Sequence, residues 1–335
     1  MQDKITNILS RALVIDKKSL TIDSLKNFIS TMKKVLNENK KMLEQSSKID
    51  VKNENGILIN FDIVENIFKN IQKENILYGS TITSKYDKTQ KLLYGKEYLD
   101  AGIVIICSDG NPYIMLEMIL RNVLAGNVAI FVNSGYCYGT NQFLIKITQK
   151  VLNQLNLPCL IDLLITENEN EILSNFANIN LVVVIGNHSL QNRIIRMSKN
   201  KCIVSGYENF EFYIEEEHNI DFIKNLSRAN LPIQFFIKKD LNLEIDNAII
   251  VEDIEEAIAQ INFNGSHYSS AIFTSNENHA SQFVKEIKSS VVTVNTSPTI
   301  ERVLDIKQQD LMIEKTIIYP ASYDFGIRMI FTKED

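Results

Sequence analysis

Apolar side chains recur along residues 22–43 at Leu25, Phe28, Ile29, Met32, Val35, Leu36, Met42 and Leu43. That spacing predicts one amphipathic helix with its lysines turned to water. A second helix is expected over Phe61 to Ile71. Residues 78–100 mix Thr, Tyr, Gly and Lys with β-branched residues and read as an exposed β-hairpin or arm.

From residue 101 short apolar runs alternate with helical patterns. Strands are expected at Ile103 to Cys107, Val128 to Val132, Leu160 to Ile165 and Leu181 to Ile185. The helices between and after them are expected at Tyr113 to Leu124, Thr140 to Leu155, Glu169 to Phe176 and Ser189 to Lys199. This order implies a parallel, doubly wound sheet with right-handed crossovers.

After about residue 206 the alternation starts again. Strands are expected at Glu211 to Ile214, Gln234 to Ile237, Ala248 to Val251, Ser270 to Thr274 and Val291 to Asn295. Helices are expected at Ile254 to Ile261 and Asn278 to Ile287. The predicted organisation is α/β throughout: a Rossmann-like domain over 1–205 that includes the arm, a second α/β domain over 206–310, and a C-terminal strand and tail over 311–335.

Composition narrows the function. Hydrophobic residues make up 45% and charged residues 23% of the 335, enough apolar material for a sizeable core. The net charge of −6 and the scattered lysines argue against a nucleic-acid surface. The longest apolar runs are about five residues, far short of a membrane span. The N-terminal segment shows no signal-peptide pattern, so a cytoplasmic location is expected. Four cysteines without a CxxC pair read as reduced thiols. Four histidines without HxxxH or HExxH spacing predict no metal site.

Ligands of open α/β sheets bind beyond the carboxyl ends of the strands. Three loops take that position in the first domain: Ser108 to Pro112, Asn133 to Gly139, and Gly186 to His188. Free N–H groups at the helices that follow would suit a phosphate. The same Gly and Asn residues would also serve simply to turn the chain. Neither GxGxxG nor GxxxxGK[ST] is present. In the second domain His267 is either an acid/base group or a solvated turn residue. Glu215, Glu216 and Glu217 read as a solvated helix start.

Four stretches carry a family resemblance: LDAGIVIICSDGNP at 99–112, LRNVLAGNVAIFVNSGYCYGTN at 120–141, the segment 180–217 opening NLVVVIGNHS, and the segment 257–299 opening AIAQINFNGSHYSSAIFTSN. In this order they resemble the aldehyde dehydrogenase superfamily and, within it, the glutamyl phosphate reductases. The resemblance implies an NAD(P)H-binding first domain. Its loops would place Ser108, Gly110, Asn111, Asn133, Ser134, Gly186 and Asn187 near the cofactor. It also implies a cysteine thiolate from the second domain that attacks an acyl phosphate or aldehyde, with donors aimed at the oxyanion.

The chain departs from that pattern at three places. Ala229 stands where the resemblance expects the nucleophilic cysteine, and no cysteine follows Cys202. Val132 stands where a Lys or Arg is expected, and Ile185-Gly186-Asn187 replaces Arg-Gly-Gly. No counterpart of the family's glycine-rich segment follows Thr299.

Two readings remain. The chain is a non-catalytic binding or assembly subunit, or it is an active NAD(P)-dependent oxidoreductase on an aldehyde or acyl phosphate. In the second reading Cys107 is the candidate substitute nucleophile and Asn111 a candidate oxyanion or cofactor ligand. For Cys107 the competing reading is a buried strand-end hydrophobe, and for Asn111 a turn residue before proline. A small-molecule ligand is expected in either case. The arm, with Lys315 to Tyr319 and Ile327 to Phe331, is expected to pair subunits into a homo-dimer by strand addition.

Overall fold

The computed structural model describes residues 2–53, 56–74, 76–87, 89, 92–108, 110–133, 135–165, 179–186, 188–205, 210–216, 223, 233–241, 243–265, 269–296 and 306–320. The helices are α1 (Gln2–Leu13), α2 (Ile22–Glu38), α3 (Lys40–Lys52), α4 (Phe61–Glu74), α5 (Pro112–Leu124), α6 (Tyr138–Gln154), α7 (His188–Met197), α8 (Ile254–Asn264) and α9 (Glu277–Glu286). The strands are β1 (Thr81–Asp87), β2 (Leu92–Asp100), β3 (Ile103–Ser108), β4 (Val128–Asn133), β5 (Ile161–Ile165), β6 (Leu181–Ile185), β7 (Lys201–Ser205), β8 (Phe210–Ile214), β9 (Ile233–Lys238), β10 (Ile249–Val251), β11 (Ser269–Phe273), β12 (Val291–Val294) and β13 (Met312–Pro320). The described residues fall into two compact units, one within 1–184, 194–203 and 306–335, the other within 185–193 and 204–305.

In the first unit the expected single helix over 22–43 is two. Thr21 caps α2 through a reciprocal pair of bonds with Ser24, and Leu25, Phe28, Ile29, Met32, Val35 and Leu36 form its buried stripe. Asn39 ends it: its side-chain amide donates to the Val35 carbonyl at 2.8 Å, the local competition that makes Asn a poor helix-interior residue. The chain resumes as α3, whose buried stripe is Leu43, Ser47 and Asp50. Two of those three are polar, so hydropathy alone does not reveal a helix past Leu43.

The main sheet has the order β5-β4-β3-β6-β7. β3 and β4 pair in parallel from Ile103↔Val128 to Ser108↔Asn133, and β4 continues in parallel with β5. Every residue of β3 and β6 is buried, as a parallel strand covered on both faces requires. α5 is buried along its whole length. Pro112 sits in its first turn, where its missing N–H costs nothing. α1 and β7 are elements that the hydropathy pattern did not predict. β7 is mostly half-buried or exposed and lies at the sheet edge, where periodicity is weakest.

The arm is a three-stranded antiparallel sheet, β1-β2-β13. β13 runs against β2 from Met312↔Asp100 to Pro320↔Leu92. Buried polar groups hold this return. The Asn127 amide donates to Asn122 Oδ1 at 3.0 Å and to the Leu311 carbonyl at 2.9 Å, while its Oδ1 accepts the Ala101 N–H at 2.8 Å. Arg121 is paired with Glu117 and Glu74. Gln308 donates its N–H to Glu74 at 2.7 Å and its side-chain amide to the Arg121 carbonyl at 2.8 Å. Burial pushes the Glu117 carboxyl up, against the pull of Arg121.

The second unit is built on a parallel sheet of order β10-β9-β8-β11-β12. One face carries Phe212, Phe235 and Phe273, with Phe212 and Phe273 stacked at 5.8 Å. The other carries Tyr213, Phe236 and Ile272, packed against Ile254, Ala257, Ile258 and Ile261 of α8 and Phe283 of α9. The expected helix over Glu169 to Phe176 and the strand Ile327 to Phe331 lie outside the described residues.

Candidate functional site

In the first unit, the carboxyl ends of β3 and β4 bring together two of the three loops that sequence reasoning singled out. Cys107 is the next-to-last residue of β3, beside Val132 of β4, and only 1% exposed. A thiol so enclosed is a packing residue. Ser108 closes the strand and its Oγ accepts the Gly110 N–H at 3.3 Å. Asn111 is the N-cap of α5, with Oδ1 accepting the Tyr113 N–H at 3.0 Å. Asn141, from the first turns of α6, ties the two loops together. Its amide donates to the Gly110 carbonyl at 2.6 Å and to the Tyr136 carbonyl at 3.2 Å.

Asn133 ends β4 opposite Ser108. Ser134, Asn187, Ala229 and His267 lie outside the described residues. Gly186 belongs to the second unit. Its N–H donates to the Ser205 carbonyl at 3.1 Å, and its carbonyl accepts the Gln191 amide at 2.8 Å.

The first N–H groups of the helix after β4 are already bonded. α6 begins after Cys137, a residue at φ 50° whose side chain makes no cap. Asp50 of α3 supplies the cap instead. Its Oδ1 accepts the Gly139 N–H at 3.0 Å, and its Oδ2 accepts the Thr140 N–H at 2.8 Å and the Thr140 hydroxyl at 2.6 Å. A carboxylate thus already satisfies the helix start that would hold an anion. Sequence reasoning missed Asp50 because its partners lie about ninety positions away along the chain.

From Ser108 to Gly139 the only cation is Arg121, and it is buried between Glu74 and Glu117. At the start of α6 the described residues do not suit a phosphate group. A carboxylate and apolar Val132 stand where phosphate recognition calls for cations and open N–H donors.

The second unit has its own polar centre, and it corrects the reading of Glu215 as part of a solvated helix start. β8 and β11 are neighbours, and the strands that follow them, β9 and β12, lie in opposite directions along the sheet order, the topological switch point. Glu215 follows β8 and is 7% exposed. It accepts Thr274 Oγ1 at 2.6 Å, lies 2.7 and 2.9 Å from His279 Nδ1, and is 3.4 Å from Lys238 Nζ. Burial opposes ionisation, yet the bonds from Thr274 and His279, with the Lys238 charge, hold the carboxyl below its ordinary range. An ionised carboxylate only accepts, so Nδ1 of His279 carries the hydrogen. Tyr213, two positions earlier, is fully buried, and its hydroxyl is pushed well up by burial and by Glu215, Asp253 and Glu255. Among the described residues no group of His, Cys, Asp and Glu is arranged to hold a metal ion.

Comparison with known proteins follows from this architecture. No family model matches the chain. The solved gamma-glutamyl phosphate reductase of Thermotoga maritima superposes with a TM-score of 0.62 at 15% identity, covering 97% of this chain and 99% of that one. The glyceraldehyde-3-phosphate dehydrogenase GapN of Methanocaldococcus jannaschii, solved with NADP, superposes at 0.70 and 15% identity over 95% and 94%. The chain has the aldehyde dehydrogenase fold. In sequence this aldehyde dehydrogenase-like chain is similar to the gamma-glutamyl phosphate reductase of Dictyoglomus thermophilum, 20% identical over 300 residues and 72% of each chain. Both expectations, of fold and of resemblance, are met. No helix among the described residues is long and apolar enough to cross a membrane.

Proposed function

We propose that this aldehyde dehydrogenase-like chain is a non-catalytic binding or assembly subunit that performs neither thioester chemistry nor hydride transfer. The observation that carries the reading is the Asp50 carboxylate seated on the first N–H groups of α6. An anionic cofactor approaching that end of the sheet meets a carboxylate, and residues 108–139 hold no Lys or Arg besides the paired Arg121. Two further facts support it. Ala229 stands where the resemblance expects the nucleophile, and an alanine forms no thioester. Cys107, the nearest substitute, is enclosed in the sheet.

Thermal unfolding with and without millimolar NADPH, NADP, NADH or NAD tests the reading. A ligand at about 100 times its dissociation constant stabilises the native state by roughly 2.7 kcal/mol. The expected result is no shift with any of the four. A shift with one of them would reinstate the alternative, an active NAD(P)-dependent oxidoreductase on an aldehyde or acyl phosphate, and would call for substrate turnover assays of a Cys107→Ser variant.

The same proposal makes the chain a cytoplasmic homo-dimer that keeps a small-molecule ligand and binds neither nucleic acid nor membrane. Cysteines 107, 137, 159 and 202 are not joined in disulfides, which suits a reducing compartment. β13 is an outer strand of the arm and exposes Ile313 and Ile318, so it offers both a hydrogen-bonding edge and apolar contact to a second copy. Light scattering at micromolar concentration should return twice the chain mass; a monomer mass would refute the pairing.

A further inference from the structure

We infer that the second unit binds a small protonated amine at the carboxyl end of β8, with the Tyr213 hydroxyl as a buried anchor and the carboxylates of Glu215, Asp253 and Glu255 as its counter-charge. The inference rests on the reading of a chain that keeps a small-molecule ligand, and it gives that ligand a place and a chemical class.

Tyr213 is 0% exposed, and its hydroxyl meets no hydrogen-bond partner among the described residues. A phenol enclosed in protein normally finds one, because an unmade bond leaves the group desolvated for nothing. Its position follows from the packing of β8 against α9. Tyr213 and Glu215 are two residues apart and share one face of the strand path. His279 and Phe283 are four apart and share one face of α9. Phe283 stacks on the Tyr213 ring with centroids 6.3 Å apart, and His279 Nδ1 lies 2.7 Å from Glu215. The two contacts are successive rungs of one strand–helix interface. The phenol oxygen also feels Asp253, the N-cap of α8, and Glu255 in the first turn of that helix. Burial and these three carboxylates keep it protonated.

The charge around the hydroxyl selects the ligand. Lys238 stands 3.4 Å from Glu215. Asp253 accepts the Glu256 N–H and Glu255 the Gln282 amide, and neither carboxylate meets a Lys, Arg or His among the described residues. Three carboxylates against one ammonium leave this end of the unit negative, which disfavours a phosphate or a carboxylate. A protonated amine supplies the two things the arrangement lacks. It brings positive charge, and it brings N–H donors to a phenol oxygen, which accepts as well as donates. His279 carries the same preference outward. With its Nδ1 hydrogen turned to Glu215, the neutral imidazole offers Nε2 as an acceptor, on a side chain about one-third exposed.

The test uses the full-length chain and two variants. Tyr213→Phe removes one oxygen and keeps the ring on Phe283. Asp253→Asn keeps a capping oxygen and removes a charge. Circular dichroism establishes that each is folded. Thermal unfolding is then followed in rising methylammonium chloride. Sodium chloride and tetramethylammonium chloride at matched ionic strength are the references, the second having the charge without an N–H. The expected result is that methylammonium stabilises the unsubstituted chain beyond both references, and that Tyr213→Phe binds it at least about tenfold more weakly. Should Tyr213→Phe fail to fold, the loss of response in Asp253→Asn decides in the same direction. An unsubstituted chain that gains nothing over the references overturns the inference, as does a gain that the folded variants keep in full. A shift with a nicotinamide nucleotide beside an intact methylammonium response would remove the non-catalytic reading and leave the amine site standing.

Discussion

The two sheets each bury one carboxylate near a carboxyl end, and they satisfy it by different means. Asp50 in the first unit is held mainly by main-chain N–H groups of a helix start. Glu215 in the second is held by side chains from β9, the end of β11 and α9. Main-chain donors are fixed and cannot turn to water when their acceptor is removed. His279 and Lys238, with side chains about one-third exposed, can. The cost of losing a buried charge depends on the freedom of the groups left behind.

The largest effect should follow at the first site. Asp50→Ala is expected to lower stability by about 3 kcal/mol, the combined loss of a cap and of charged hydrogen bonds. Glu215→Ala should cost less, about 2 kcal/mol, because its partners rehydrate. Urea denaturation of both variants checks the order, and a reversed order would break the contrast. The hydroxyl deletions Thr140→Val and Thr274→Val should each cost about 1 kcal/mol.

Acid separates the sites further. The native Glu215 carboxyl is depressed, so its contribution is fully present above the unfolded value of about 4.3 and is lost as the pH falls through the lower native value. Glu215→Gln should flatten that part of the stability profile and leave the curve near neutrality unchanged in shape.

Much of the fold was legible because buried parallel strands advertise themselves. Leu181–Ile185 and the run ending at Cys107 are continuous apolar segments, and α5 announces itself with Asn-Pro and a mostly apolar body interrupted by Glu117, Arg121 and Asn122. What stayed hidden was polar. The stripe Leu43, Ser47, Asp50 has a helix period but little hydrophobic contrast. Glu215 looked like the first of three solvated acids, although the buried strand before it carries it inside the unit. At the candidate site, the loops were found from their place in the strand–helix order. The groups that decide their chemistry were not, since Asp50 meets Thr140 only through folding. Ala229 remains an argument from sequence, as it lies outside the described residues.

The return of β13 to β2 carries a consequence for how the protein is made. Asn127, Arg121 and Glu74 leave the ribosome early, while their partners at Gln308 and Leu311 emerge only after the whole second unit has been synthesised. During translation the first unit waits with the outer edge of β2 unpaired and several buried polar groups without their partners. Docking of β13 onto the arm therefore has to wait for elongation to reach it. The waiting edge is the point at which a nascent chain would be most exposed to wrong pairing.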